Sequence, residues 1–264
     1  MAPKKTDTPH VPITPEEIAR DTYEAYKLGA AVVHVHARDE QGNPTHRKDV
    51  YARIFSLIRE KCPGMIICAS TSGRTDRDLG HRAEVLDLGP DMASLTLGSV
   101  NFLKQPSINT LEDISALARM MGERGVKPEL EIFEPGFIGV AEYLHIKGLL
   151  HPPLHFNLLL GSRGSIPAEM RDLVYLADSL PADSTWSAAG IGMYQSRINA
   201  AAILMGGHVR VGLEDSLHYD PGKRVLATNG QLVRRIATIA GELGREIASP
   251  AEAREILRLD KSCR

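Results

Sequence analysis

Apolar and polar positions along this chain follow two rhythms that alternate at regular intervals. Short apolar runs of strand length are separated by longer stretches whose apolar positions recur every three or four residues, the spacing of a helix with one buried face. A first helix opens at Thr14-Pro15-Glu16-Glu17, with Thr14 as cap, Pro15 at the first helical position and Glu17 three residues after the cap, and Gly29 stops it. The strand VVHVHAR follows, then a helix over roughly 47–61, the strand MIICAST at 65–71, a helix within 75–88 and the strand MASLTL at 92–97. Beyond these come a helix near 110–124, the strand ELEIF at 129–133, a helix near 137–149 and the strand HFNLLLG at 155–161. The alternation ends with a helix opened by Ser165-Ile166-Pro167, the strand TWSAAG at 185–190, a helix through 193–205 and the strand VRVGLED at 209–215. Two closing helices follow, the last capped by Ser249-Pro250-Ala251-Glu252.

Repeated strand and helix units of this length imply parallel strands joined by right-handed crossovers, hence an α/β barrel or an open doubly wound sheet. A single TIM (β/α)8 barrel domain over 1–264 suits the length. No G-x-G-x-x-G follows the first strand, so the dinucleotide-binding alternative lacks its phosphate loop. The count is one short: seven strands are legible, and the chain opens with a helix where a barrel opens with a strand.

Composition narrows the class of partner. With 43% hydrophobic and 24% charged residues and a formal charge of -2, the chain reads as an ordinary globular domain. Lys and Arg are scattered, which gives neither a nucleic-acid footprint nor a membrane-surface helix. No apolar stretch approaches the roughly 20 residues of a membrane span, and MAPKKTDTPH has no apolar core for a signal peptide, so a cytoplasmic location is expected. Cys62, Cys68 and Cys263 are odd in number and show no C-x-x-C spacing, so they are read as reduced and structural.

Chemistry enters through HVHARDE. Side chains alternate along a strand, so His34 and His36 point one way and Val33 and Val35 the other. Read as a strand, VRVGLED puts Arg210, Gly212 and Glu214 on the same inward face, and the same parity turns Ser94, Thr96, Glu129, Glu131 and Asn157 inward. Two histidines and a carboxylate are a common ligand set for catalytic zinc, which keeps a fourth position open, and His34, His36 and Glu214 supply one. An ion pair between Arg210 and Glu214 is the ordinary use of that glutamate, and an extended chain holds the two far apart. Asp215, at the end of the strand, suits either a helix cap or loop ion pair or a base beside the metal. The loop STSGR at 70–74 has small residues and amides suited to a carboxylate, and is also what a plain turn looks like.

Taken together, HVHARDEQGNPT, STSGR, DMASLTLGSVNF, EPGF, HFNLLLG and VRVGLEDS, in this order over nearly the whole chain, resemble the β-keto acid cleavage enzymes. The resemblance implies a zinc-dependent TIM barrel that condenses a β-keto acid with acetyl-CoA to give acetoacetate and a new CoA ester. It also implies a homo-oligomer, a tetramer in that family. Carried over residue by residue, it makes His34, His36 and Glu214 the zinc ligands and has Ser70, Gly73 and Thr96 hold the substrate's carboxylate and keto group. Asp215 becomes the base, tuned by Arg210. Family members begin with a strand that contacts the substrate's tail and that has no counterpart here. The expectation is therefore an upstream start adding about 10 to 20 residues, one strand among them. Two rival readings remain beside this one: a metal-dependent hydrolase of the amidohydrolase type, and a metal-binding inactive homologue.

Overall fold

Seven parallel strands form one curled sheet in which each strand lies beside its neighbour in sequence, from β1 to β7 without a crossover. They are β1 (Val32–Val35), β2 (Ile66–Ala69), β3 (Met92–Thr96), β4 (Lys127–Ile132), β5 (Leu154–Leu160), β6 (Ser184–Gly190) and β7 (His208–Val209). The computed structural model describes residues 3–74, 76–103 and 105–259; Cys263 lies outside them. The helices are α1 (Pro15–Lys27), α2 (Lys48–Lys61), α3 (Leu79–Ala83), α4 (Leu111–Glu123), α5 (Gly136–Ile146), α6 (Met170–Asp178), α7 (Gln195–Leu204), α8 (Asn229–Glu242) and α9 (Pro250–Ile256). Among them no helix is long and apolar enough to cross a membrane.

Local chemistry sets the helix starts. The Thr14 hydroxyl accepts from the Glu17 amide and the Glu17 carboxylate accepts from the Thr14 amide, and Thr228 and Gln231 do the same for α8 and Ser249 and Glu252 for α9. The inner strands are covered on both faces, which is why β2 reads as an unbroken apolar run and is buried at every position. The helix-facing side of the sheet is apolar. The concave side carries the polar residues that alternation assigns to it, with Ser94, Glu129 and His155 in one register and Thr96, Glu131, Asn157 and Ser187 in the next.

Among the described residues the sheet does not close. β1 pairs only with β2 and β7 only with β6, and the free edges of β1 and β7 border a cavity of about 420 Å³ walled by Ile18, Ala25, Ile236, Ala240 and Leu257 among others. Of residues 3–12, Pro3, Val11 and Pro12 border this slot, and the segment forms turns rather than a strand. The described fold is thus a curled half-barrel of seven strands, where the sequence had suggested a TIM barrel.

Three further expectations are corrected. The strand expected over 209–215 ends at Val209, because only Ser187↔His208 and Ala188↔Val209 pair with β6 and no strand borders its other edge. The chain then turns, with the Asp215 and Ser216 amides donating back to Gly212 O at 3.1 and 3.0 Å. The segment within 75–88 splits into α3 and a 3-10 turn at Glu84–Leu88. The helix expected from Ser165 begins at Met170, since the Ile166 amide is used to bond Phe133 O.

Candidate active site

β1 delivers the two histidines as its alternation requires. His34 lies opposite Cys68 in the β1–β2 register. Its ring is engaged at both nitrogens, Nδ1 at 3.2 Å from Glu129 Oε2 and Nε2 at 3.2 Å from His36 Nε2. His36 follows just after β1 ends, with Nε2 also 3.0 Å from Glu214 Oε1. Glu214 arrives from the turn after β7. That turn is fixed from outside: Asn229 at the start of α8 accepts the Leu213 amide at 2.9 Å, and the Gly192 amide donates to Asp215 O at 2.8 Å.

The turn also reverses one inference. Arg210 and Glu214 are not held apart by an extended chain, because the chain bends between them and Arg210 Nη2 donates to Glu214 Oε2 at 2.8 Å. Glu214 therefore does both jobs, one oxygen on Arg210 and the other on His36. Arg210 is the hub of four acids: Nε meets Asp215 Oδ2 at 3.1 Å, and Nη1 lies 3.5 Å from Glu131 Oε1 and 3.8 Å from Glu129 Oε2.

These contacts divide the titrations. Burial pushes the His36 imidazole down to about 4 against the pull of Glu214, which leaves it neutral with a lone pair to donate. Burial and the Arg210 charge lower His34 too, but the bond to Glu129 and the charges of Glu129 and Glu214 outweigh them and hold it above its ordinary value. Burial raises Glu129, yet the His34 bond and charge and the Arg210 charge bring its carboxyl to about 2. For Glu131 burial prevails over Arg210 and lifts the carboxyl, and Thr96 Oγ1 donates to its Oε2 at 2.6 Å.

Two features fit a divalent ion. The ligating atoms of His34, His36 and Glu214 lie within 4.8 Å of one another. Separations of 3.2 and 3.0 Å match what bonds of about 2.0–2.2 Å in tetrahedral geometry impose between ligands, roughly 3.3 Å. A single N–H on His36 Nε2 could point at only one of its two neighbours, whereas a cation can serve both. Charge points the same way: four acids around one guanidinium leave an excess of negative charge in a largely buried site.

Of the expected substrate-holding residues, Ser70 sits beside His36 on a small cavity of about 30 Å³ that Arg38, His46, Ser72 and Arg74 also line. Gly73 and Thr96 line neither this cavity nor the slot. Gly73 has a packing reason to be glycine, since a Cβ there would come 2.9 Å from Arg82 Nη1 and 3.1 Å from Ile108 O. Sequence reading gave Glu129 an inward direction but no task, gave Arg38 and Arg74 none beyond their places at the end of HVHAR and of the STSGR loop, and passed over His46. The inward parity of Glu129 was the available signal for the first, and no pattern flagged His46, which reaches the cavity from a loop.

A model of the beta-keto acid cleavage enzyme family matches residues 1–259. The chain belongs to the beta-keto acid cleavage enzyme family. It is 45% identical over 259 residues to the 3-keto-5-aminohexanoate cleavage enzyme of Fusobacterium nucleatum, covering 97% of this chain and 94% of that one. It is 36% identical over 261 residues to the 3-oxoadipate:acetyl-CoA acetyltransferase of Cupriavidus necator, covering 97% and 91%. Among solved structures, apo ObcA superimposes with a TM-score of 0.84 at 24% identity over 95% of this chain, which spans 66% of the ObcA chain. That likeness bears on the fold, and the cleavage-enzyme fold seen here is close to it. Among the described residues the only groups that could hold a metal are His34, His36 and Glu214, and His34, Cys68 and Glu129. No middle-strand histidine joins the first group: His155 is turned to Thr185 Oγ1 at 2.9 Å. The amidohydrolase reading, which needs such ligands, has no support in this geometry.

Proposed function

We propose that this chain is a zinc-dependent acyltransferase that condenses a β-keto acid with acetyl-CoA and returns acetoacetate and a new CoA ester. The observation that carries the proposal is the meeting of His34, His36 and Glu214 beside the Arg210–Asp215 pair, in a chain whose relatives are named for acetyl-CoA-dependent and cleavage reactions of keto acids. When bound, zinc supplies Lewis acidity, which makes the carbon between carboxylate and ketone easier to deprotonate.

The chain's own residues do the rest. Asp215 takes the proton from that carbon. A carboxylate with a reference pKa of about 3.9 is a weak base for a C–H bond, so its aim matters, and Arg210 fixes the aim with bonds at 3.1 and 3.4 Å. Ser70, Gly73 and Thr96 hold the substrate's carboxylate and keto oxygen, Ser70 from beside His36. The deprotonated carbon attacks the acetyl carbonyl and the CoA thiolate leaves. That thiolate adds to the original ketone, and the bond between this carbon and its neighbour breaks. The electron pair returns to the carbon that lost the proton, and Asp215 gives the proton back. R–CO–CH2–COO⁻ and CH3–CO–S-CoA thus become R–CO–S-CoA and CH3–CO–CH2–COO⁻, with every atom accounted for.

An eighth strand in the slot between β1 and β7 would complete a single (β/α)8 barrel domain around the site, and contacts to the tail R are placed there because the slot runs up to His34, His36 and Glu214. By family likeness the working form is a homotetramer, and a cytoplasmic location is our reading of the sequence. The test is to incubate zinc-loaded protein with acetyl-CoA and a panel of β-keto acids bearing cationic, apolar and acidic tails. Acetoacetate that forms only with acetyl-CoA present supports the transferase, whereas consumption of a keto acid without CoA would show a hydrolase.

A further inference from the structure

The geometry points to Glu129 as the residue that positions His34 for the metal, acting through the imidazole rather than on substrate. The inference rests on the metal reading above. An imidazole can face an ion with one nitrogen at a time. Its other nitrogen decides which tautomer is present and how basic the ligating lone pair is, and a carboxylate partner serves both ends. Here Nδ1 of His34 is taken by Glu129 Oε2 at 3.2 Å, which leaves Nε2 as the lone pair aimed at His36 and Glu214.

Glu129 is built to stay in place. It is only 6% exposed, and its backbone is fixed in β4 between Ser94 and His155. Oε2 gathers three groups: the His34 ring, the Cys68 thiol donating at 3.6 Å and the Arg210 guanidinium at 3.8 Å. Rotation of the carboxylate would break all three contacts at once. The same oxygen therefore couples Arg210, the partner of Asp215, to the orientation of a metal ligand.

A competing arrangement uses the same atoms, because His34, Cys68 and Glu129 also come within 4.8 Å of one another. Access separates the two. Cys68 is fully buried and borders neither cavity, while His36 and Glu214 open onto the slot. A catalytic ion needs an open position for substrate, which only the His36–Glu214 side offers.

The experiment is a zinc titration against a chromophoric competing chelator, run on metal-free wild type, Glu129→Gln, Cys68→Ala and Glu214→Gln, with melting of each metal-free protein alongside. Glu129→Gln should bind zinc about 10- to 100-fold more weakly. Its metal-free melting temperature should fall somewhat, since the charged contacts of the carboxylate with His34 and Arg210 are weakened; a purely structural Glu129 would lower melting in the same way but spare the affinity. Cys68→Ala should bind zinc like wild type, and Glu214→Gln should lose tight binding. Wild-type affinity in Glu129→Gln overturns this inference while leaving the metal reading intact. Loss in both Glu129→Gln and Cys68→Ala with retention in Glu214→Gln places the ion in the other trio and overturns it too. Wild type that binds no zinc removes the metal reading, and this inference with it. Should Glu129→Gln not fold, Glu129→Asp keeps the charge but withdraws it by one methylene; weaker zinc binding supports the inference and wild-type binding overturns it.

Discussion

One guanidinium facing four carboxylates decides what each acid at this site can do. Arg210 bonds Asp215 and Glu214 within 3.1 Å and reaches Glu131 and Glu129 at longer range. Glu129 is taken by His34, Glu214 by His36 and Glu131 by the Thr96 hydroxyl, so Asp215, whose side-chain partner is Arg210, is the acid we propose for proton transfer. Asp215→Asn should keep the fold and the zinc, because the amide still accepts from Arg210, yet lose about 10²- to 10⁴-fold in turnover, since an amide cannot take up the proton. Zinc content and kcat measured on the same preparation check this. Loss of zinc would make Asp215 part of the metal site, and near-normal kcat would remove it from the mechanism.

At the scale of elements, the turn after β7 carries Glu214 and Asp215, the proposed ligand and base, and depends on the helix that follows. Asn229, the first residue of α8, accepts the amide of the buried Leu213 and donates to Asp21 of α1. Asn229→Ala leaves that amide without an acceptor, which costs about 1 to 3 kcal/mol. For a chain of this size the loss corresponds to a melting temperature lower by roughly 2 to 10 °C. Thermal unfolding reads it out; an unchanged melting temperature would show that the turn holds itself. This turn is also where sequence reading failed. Alternation put Arg210 and Glu214 inward correctly, but it assumed an extended chain to 215, and a strand two residues long has too few partners to stay extended. Elsewhere pattern was enough: the Thr14 and Ser249 caps, the strand order and the parity of His34 and His36 were all legible, because each depends on neighbours in sequence. The contacts of Glu129 with Cys68 and Arg210 join residues 61 and 81 positions apart, and no local pattern carries that information.

For the whole molecule, the metal and the open edge oppose each other. The proposed ligands lie on either side of the slot, His34 on β1, His36 just after it and Glu214 in the turn after β7, and β1 and β7 do not pair with each other. An ion held by His34, His36 and Glu214 would join them. Zinc at about 100 times its Kd should therefore stabilise the fold by about 2.7 kcal/mol, a rise in melting temperature of roughly 5 to 10 °C that a chelator reverses. Melting that ignores both zinc and chelator would contradict a metal at this site. The central claim, that the chain exchanges the acyl groups of a β-keto acid and acetyl-CoA, is tested most directly by following the acetyl carbons. With acetyl-CoA labelled with ¹³C at both acetyl carbons and an unlabelled β-keto acid, the acetoacetate formed should carry the label at its ketone and methyl carbons, with its carboxylate and methylene carbons unlabelled. The new CoA ester should be unlabelled. Label in the new CoA ester, or labelled acetate in place of labelled acetoacetate, would contradict the account.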